Sequence, residues 1–323
     1  MTEPTAEIIE REAQLTREEH GMRMDQAAAV LFSEFSRERL KQWISEGALT
    51  LDGKTVKPKV KVLVGQCLRL NATLQAEGEW VAQDIPLDVV YEDDSVLVIN
   101  KPAGLVVHPA AGNPDGTLLN ALLHYYPALE NIPRAGIVHR LDKDTTGLMV
   151  VARTLEAHHS LIKQLKSKSV TREYDAVVVG IMTAGGTVDA PLGRHPRDRK
   201  RQAVVANGKP AVTHFRVAER FGGHTHVRCQ LETGRTHQIR VHLSHKGWPL
   251  VGDPVYGGRL RFPPGASEAL REALHAFGRQ ALHARRLRFD HPLTGEEVMC
   301  HAPMPADMAQ LLERLREERL HKE

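Results

Sequence analysis

From Leu87 onward the chain carries short apolar, β-branched runs at irregular intervals: Val89 to Tyr91, Val96 to Ile99, Gly136 to Val138, Leu148 to Val151 and Tyr174 to Val179. Runs of this length and composition read as strands. Helical patterns lie between them, but without the even alternation that builds a parallel βαβ sheet. The expected class is therefore α+β on a mixed, mostly antiparallel sheet, spanning residues 87–323. One helix is predicted after Thr154, with Leu155, His158, Ile162 and Leu165 on one side and Lys163, Lys166 and Lys168 near its end. Another, carrying Met308, Leu311, Leu312 and Leu315, closes the chain.

A smaller unit precedes this domain. Met24, Ala27, Ala28 and Leu31 share a helical face, and Ser36 is placed to cap a second helix with Leu40, Trp43 and Ile44 inward, ended by Gly47. Ala48 to Leu51, a tight turn at Asp52 and Gly53, and Lys54 to Val56 read as a β-hairpin, and Leu68 and Leu70 mark a further strand. The unit is expected over residues 18–75, with 76–86 as a linker and 1–17 as a flexible acidic leader. Residues 1–19 hold six glutamates against Arg11 and Arg17, so the rest of the chain is more basic than the net +3 indicates. That balance suits a polyanion-binding protein, although many small-molecule enzymes share it.

Composition excludes several classes. With 41% apolar and 26% charged residues, wholesale disorder is not expected. Cys67, Cys229 and Cys300 stand too far apart for a close metal-ligand spacing or a dense disulfide framework. No apolar run approaches the roughly 18 residues that span a bilayer, and no basic-then-apolar segment opens the chain, so a cytoplasmic location is expected.

Arg37, Arg39 and Lys41 near the start of the second helix, and Lys54, Lys57, Lys59 and Lys61 beyond it, could meet phosphates or could simply be solvated. Their order decides more than their charge. The stretch MRMDQAAAVLFSEFSRERLKQWISEGALTLDGKTVKPKVKVLVGQCLRL, residues 22–70, resembles an S4 domain, a small RNA-binding module. The resemblance implies structured RNA as partner, with Arg37, Arg39, Lys41 and Lys54 as phosphate contacts that position more than they read sequence.

The densest polar run in an apolar setting is GIVHRLDKDTTGLMVVA, which sets His139 to Gly147 between two hydrophobic segments. A lone loop aspartate is usually a turn or capping residue, and Asp144, before two threonines and a glycine, suits that role. The run HRLDKDTTGLMVVA, however, is similar to the signature of the RluA family of pseudouridine synthases, whose catalytic aspartate falls on Asp142. INKPAGLVVHP (99–109), REYDAVVVG (172–180) and LETGRTHQIRVHL (231–243) match in the same order. NPDGTLLNALLHYYP and WPLVGDPVYGG point to the RluD branch of that family, which acts on the helix 69 stem-loop of 23S rRNA.

That resemblance implies a pseudouridine synthase fold and an isomerisation in which uracil leaves ribose C1′ through N1 and returns through C5. An isomerisation leaves the overall composition unchanged, so no cofactor and no metal are implied. A carboxylate, with a reference pKa of ~3.9, is ionised near neutrality and can attack C1′ or take the C2′ proton. The resemblance gives this role to Asp142, the orienting cation to Arg240, and the ring that receives the flipped base to Tyr174. Flipping costs a few kcal/mol and stacking returns roughly 1–3. Arg140 is expected to hold RNA or fill the vacated space, with a structural ion pair as its rival reading. The cluster Arg194, Arg197, Arg199, Lys200 and Arg201 is either RNA surface or a solvated loop.

Two rival functions follow from the same residues. One is an RNA-binding ribosome-assembly factor that does no chemistry. The other is a metallohydrolase, prompted by 18 histidines including His224, His226, His237, His242 and His245, whose spacing matches no zinc signature.

Overall fold

The computed structural model describes residues 8–35, 37–73, 80–110, 112–198 and 200–320. Its first unit contains β1 (Ile8–Gln14), α1 (Met24–Leu31), α2 (Arg37–Glu46), β2 (Leu49–Leu51) and β3 (Cys67–Thr73). Strand β3 lies between β1 and β2, antiparallel to both. Met24, Ala27, Ala28, Leu40, Trp43 and Ile44 are buried, as the helical spacing requires. Asp52 and Gly53 both have positive φ, 51° and 74°, and form the expected tight turn. The returning strand is a single bridge from Leu51 to Lys54, because the partner of β2 is β3.

The acidic leader needs correction. Residues 8–14 are an edge strand, paired with β3 from Ile8↔Thr73 to Gln14↔Cys67. Ile9 is buried while Glu10, Glu12 and Gln14 are not. Charged side chains on the open face of an edge strand are common and hide its apolar signal. The linker is corrected too. Trp80 meets His108 edge-on at 5.1 Å, and Asn120 donates through Nδ2 to the Val81 carbonyl at 2.8 Å. Gly116 N donates to Gln83 Oε1 at 2.6 Å. Residues 80–86 are thus docked on the larger unit. Residues 74–79 and the expected cap Ser36 lie outside the described residues.

The larger unit continues with β4 (Val89–Glu92), β5 (Val96–Lys101), α3 (Leu118–Tyr125), β6 (Thr146–Ala152), α4 (Leu155–Lys166) and β7 (Thr171–Val179). Then come β8 (Gly186–Asp189), β9 (Leu192–Arg194), β10 (Gln202–Val204), β11 (Val212–Arg220), β12 (His224–Leu231) and α5 (Gln238–His245). It ends with α6 (Glu268–Ala276), β13 (Leu282–Asp290), β14 (Glu297–His301) and α7 (Ala306–Leu320). Nine strands form one sheet in the order β4-β5-β6-β13-β7-β12-β11-β8, with β14 on β13. Every pairing is antiparallel except β6 with β13. Strands β9 and β10 make a separate hairpin.

Alternation along β5 and β6 sends Leu97, Ile99, Met149 and Val151 into one core with Leu118, Leu119 and Leu122 of α3. Val96, Val98, Leu148 and Val150 face the other way, onto Ala157 and Leu161 of α4. Val177 packs with Leu270 and Leu274 of α6 and with Met308, Leu311, Leu312 and Leu315 of α7. The run Gly136 to Val138 is not a strand. Pro133–Gly136 form a 3-10 turn in which Arg134 and Ala135 have φ of 54° and 50°, leaving one bridge from Ile137 to Val151.

This core contains histidines that cannot take a proton without cost. Burial holds His158 and His224 down to about 4, and neither nitrogen of His224 has a hydrogen-bond partner among the described residues. In the unfolded chain both titrate near the reference value of about 6.5. As pH falls from there towards 4, the unfolded chain gains protons that the folded one refuses. Stability should drop by about 3 kcal/mol per pH unit from these two side chains together. Depressed carboxylates such as Asp253 lose their contribution only below that window. Urea midpoints at pH 7 and 5 check this, and equal midpoints would contradict it.

Candidate active site

The polar run singled out in the sequence becomes the loop that leads into β6. Both of its ends are fixed. Lys101, only 1% exposed, donates from Nζ to the carbonyls of Pro102 (2.8 Å), Leu105 (2.9 Å) and Lys143 (2.8 Å), tying the 99–109 segment to the loop. Burial lowers its pKa to about 8. At the other end Gly147, with φ of 114°, lies where a Cβ would come within 2.2 Å of the Ala284 carbonyl oxygen. Only glycine lets β6 run this close to β13. His139 accepts from Val150 N at 3.1 Å, and burial, assisted by the charge of Arg172, holds it neutral with a pKa of about 3.

Asp142 projects from this anchored loop. Its Oδ2 accepts from Arg240 Nη1 at 2.9 Å, across 98 residues of chain. Arg240 sits in the first turn of α5 and is buried. The rest of its guanidinium is held by Asp253, with Nε to Oδ2 at 2.7 Å and Nη2 to Oδ1 at 3.0 Å. Asp253 Oδ1 also accepts from the backbone amides of Val255 and Tyr256. Burial alone would weaken the charge on Arg240, but hydrogen bonds and attraction from Asp253 and then Asp142 outweigh it and push its pKa up. Burial raises the carboxyl of Asp253, and Arg240 overcomes this and lowers it. A two-pronged grip of this kind fixes a guanidinium in direction as well as place. Its third arm can then orient Asp142.

The other oxygen of Asp142, Oδ1, stands 3.9 Å from His237 Nε2, beyond hydrogen-bond reach. His237 caps α5 in a left-handed conformation, φ 57°, and its Nδ1 shares a 2.8 Å hydrogen bond with the Tyr256 hydroxyl. Burial lowers its pKa, so it favours the neutral ring. Tyr256 accepts from Gln202 N at 2.9 Å, and the Arg240 guanidinium lies 5.1 Å from its ring centre. A cavity of about 1050 Å³ opens here, lined by Asp142, His237, Arg240, Tyr174, Arg140 and Arg172 among others. Tyr174 is 5% exposed, and burial raises the pKa of its phenol. Arg140 is exposed at the same cavity.

The structure therefore brings together Asp142, Tyr174, Arg240 and Arg140. The cations of the first unit do not line this cavity. Arg37 pairs with Asp25 at 3.1 Å, Arg39 lies 5.6 Å from the Trp43 ring centre, and Lys41 and Lys54 are exposed. Of the basic run at 194–201, Arg201 stacks over Tyr256 at 5.4 Å, while residue 199 is outside the described residues. Among the described residues no three His, Cys, Asp or Glu side chains stand close enough to share an ion. His226 bonds instead to Asp175, and His242 to Thr213. Sequence reasoning missed Asp253, Tyr256 and Arg172. The first two lie inside WPLVGDPVYGG, where an acid beside a proline in an apolar run was the available signal.

Comparison with known proteins places the chain in a family. The RNA pseudouridylate synthase family matches residues 95–245. The chain is 60% identical over 314 residues to ribosomal large subunit pseudouridine synthase D of Pseudomonas aeruginosa, covering 97% of this chain and 98% of the relative. It is 58% identical to the protein of that name from Vibrio parahaemolyticus, over 92% of each chain, and 56% identical to that of Escherichia coli K12, over 96% of each. Among solved structures, human RNA pseudouridylate synthase domain containing 4 aligns with a TM-score of 0.54 at 30% identity, over 71% of this chain and 93% of its own.

Proposed function

The chain belongs to the family of RNA pseudouridylate synthases, and on that premise we propose that it isomerises uridine to pseudouridine in large-subunit ribosomal RNA. The observation that carries the reading is the half-buried Asp142, held by the buried Arg240–Asp253 pair and opening on a cavity that also holds Tyr174. Arg240 occupies Oδ2, which leaves Oδ1 as the oxygen that meets the ribose, attacking C1′ or taking the C2′ proton. Either step needs an anionic, oriented carboxylate, and Arg240 favours both properties.

A uridine stacked in folded RNA cannot bring its sugar to this oxygen. Tyr174 receives the extruded base, and Arg140, exposed at the cavity, holds the RNA beside it. Residues 18–75 act as an S4-type grip through Arg37, Arg39, Lys41 and Lys54, and residues 87–323 carry the chemistry. The pairing of Arg37 with Asp25 leaves part of its guanidinium for a phosphate. The target is the helix 69 stem-loop of 23S rRNA, met in the cytoplasm in the free RNA or the assembling large subunit. The support for this finer reading is the likeness of residues 113–127 and 248–258 to the RluD branch.

Joining C5 to C1′ expels the proton on C5. Purified protein should therefore release tritium from C5-labelled uridine in large-subunit rRNA, with undiminished yield in excess chelator. Loss of activity on chelation would revive the metallohydrolase. Binding to the RNA with no release at all would favour the non-catalytic assembly factor.

A further inference from the structure

Arg172 is the second residue of β7 and lies two before Tyr174, so both side chains leave the same face of the strand, and both line the cavity. It is 6% exposed. The other buried arginines among the described residues are matched to acids, Arg240 to Asp253 and Asp142, and Arg279 to Asp307. Arg172 is different. Among the described residues no carboxylate forms an ion pair with it, its Nε has no hydrogen-bond partner, and its Nη2 makes a long 3.5 Å contact with the Glu232 carbonyl. A buried, unpaired guanidinium lowers folding stability, so its retention calls for an anion that arrives later.

The reaction proposed above makes such an anion. Asp142 enters it charged. If it attacks C1′ it becomes a neutral ester, and if it takes the C2′ proton it becomes a neutral acid. In both cases the N1–C1′ electron pair leaves with the base, so the negative charge moves from Asp142 to the detached uracil. There it spreads over N1 and the two carbonyl oxygens. Arg240 cannot follow it, being clamped on Asp253.

We propose that Arg172 is a further catalytic residue, which donates N–H hydrogen bonds to a carbonyl oxygen of the detached uracil and carries its negative charge until C5 closes on C1′. The assignment rests on the isomerase reading of the same site. The planar fork matches the edge of a pyrimidine, and the base, unlike the RNA backbone, is the part of the substrate that enters a buried pocket. A dry site makes a fixed cation worth far more than it would be in water.

The test compares wild type, Arg172→Gln and Arg172→Lys on two RNA stem-loops, one with uridine and one with 5-fluorouridine at the target. Fluorine makes the departing base less basic, so it needs less help to leave. With uridine, Arg172→Gln should lower the single-turnover rate by about 100-fold or more, with the RNA dissociation constant within about threefold. On 5-fluorouridine RNA, glycosidic cleavage followed by mass spectrometry should show a defect at least about tenfold smaller. The free Gln variant should melt no lower than wild type, since an unmatched buried charge has gone. Should Arg172→Gln fail to fold, Arg172→Lys must show the same shrinking defect. An unchanged rate, equal defects on both bases, or weaker binding with a normal rate at saturation would overturn the proposal, the last marking a phosphate contact. Wild type inactive on the uridine RNA would instead indict the isomerase reading.

Discussion

Asp142→Asn should abolish isomerisation, with single-turnover rates down by about 10⁴-fold or more, while RNA affinity stays within about threefold. The substitution keeps size and shape but removes the charge that can attack C1′ or accept the C2′ proton. The fold should hardly notice. Asp142 is the outer of the two carboxylates on Arg240, with a side chain 16% exposed against 0% for Asp253. The inner pair stays intact, so the guanidinium is not left buried without a counter-charge. The melting temperature should therefore match wild type, and tritium release measured beside RNA binding separates lost chemistry from lost substrate. Residual turnover above one per cent would place the reacting group elsewhere.

Arg240→Lys should be worse for the fold than for binding. The arginine uses three nitrogens at once, two on Asp253 and one on Asp142. An ammonium on a flexible stem cannot reproduce that fork. Asp253, fully buried, would lose its two-pronged partner and keep backbone amides from Val255 and Tyr256. We expect a loss of roughly 3–5 kcal/mol in urea denaturation. The folded fraction should isomerise about 10²- to 10³-fold more slowly, because Asp142 loses its direction as well as its neighbouring charge. Asp253→Asn provides the control. It should cost stability and rate together, although Asp253 itself never meets the RNA. A lysine variant as stable and as fast as wild type would remove the clamp from the account.

The sequence made some of this legible and hid the rest for physical reasons. Alternating apolar residues set both faces of β5 and β6, and the polar run between hydrophobic segments marked the loop of Asp142. Tyr174 and Arg240 came from motif order, since a tyrosine in a valine-rich strand and an arginine on an amphipathic helix carry no local sign of chemistry. Asp253 stayed hidden because its partner is 13 residues away, in a different element, and their meeting depends on how the chain folds back after α5. Arg172 looked like any charged residue at a strand start. What distinguishes it is that no carboxylate among the described residues forms an ion pair with it, a property of the packed molecule. Strand β1 was missed because one buried Ile9 among glutamates gives too little apolar pattern to mark an edge. The run Gly136 to Val138 was misread because the left-handed turns at Arg134 and Ala135 just before it divert a stretch that otherwise looks extended.

The most direct measurement is a structure of the protein bound to a target stem-loop with 5-fluorouridine at the reactive position. That nucleotide should lie outside the helical stack, its base against Tyr174 and its C1′ or C2′ within about 3.5 Å of, or bonded to, Asp142 Oδ1. A nucleotide still stacked in the RNA, or one whose sugar lies against another side chain with Oδ1 facing water, would contradict it.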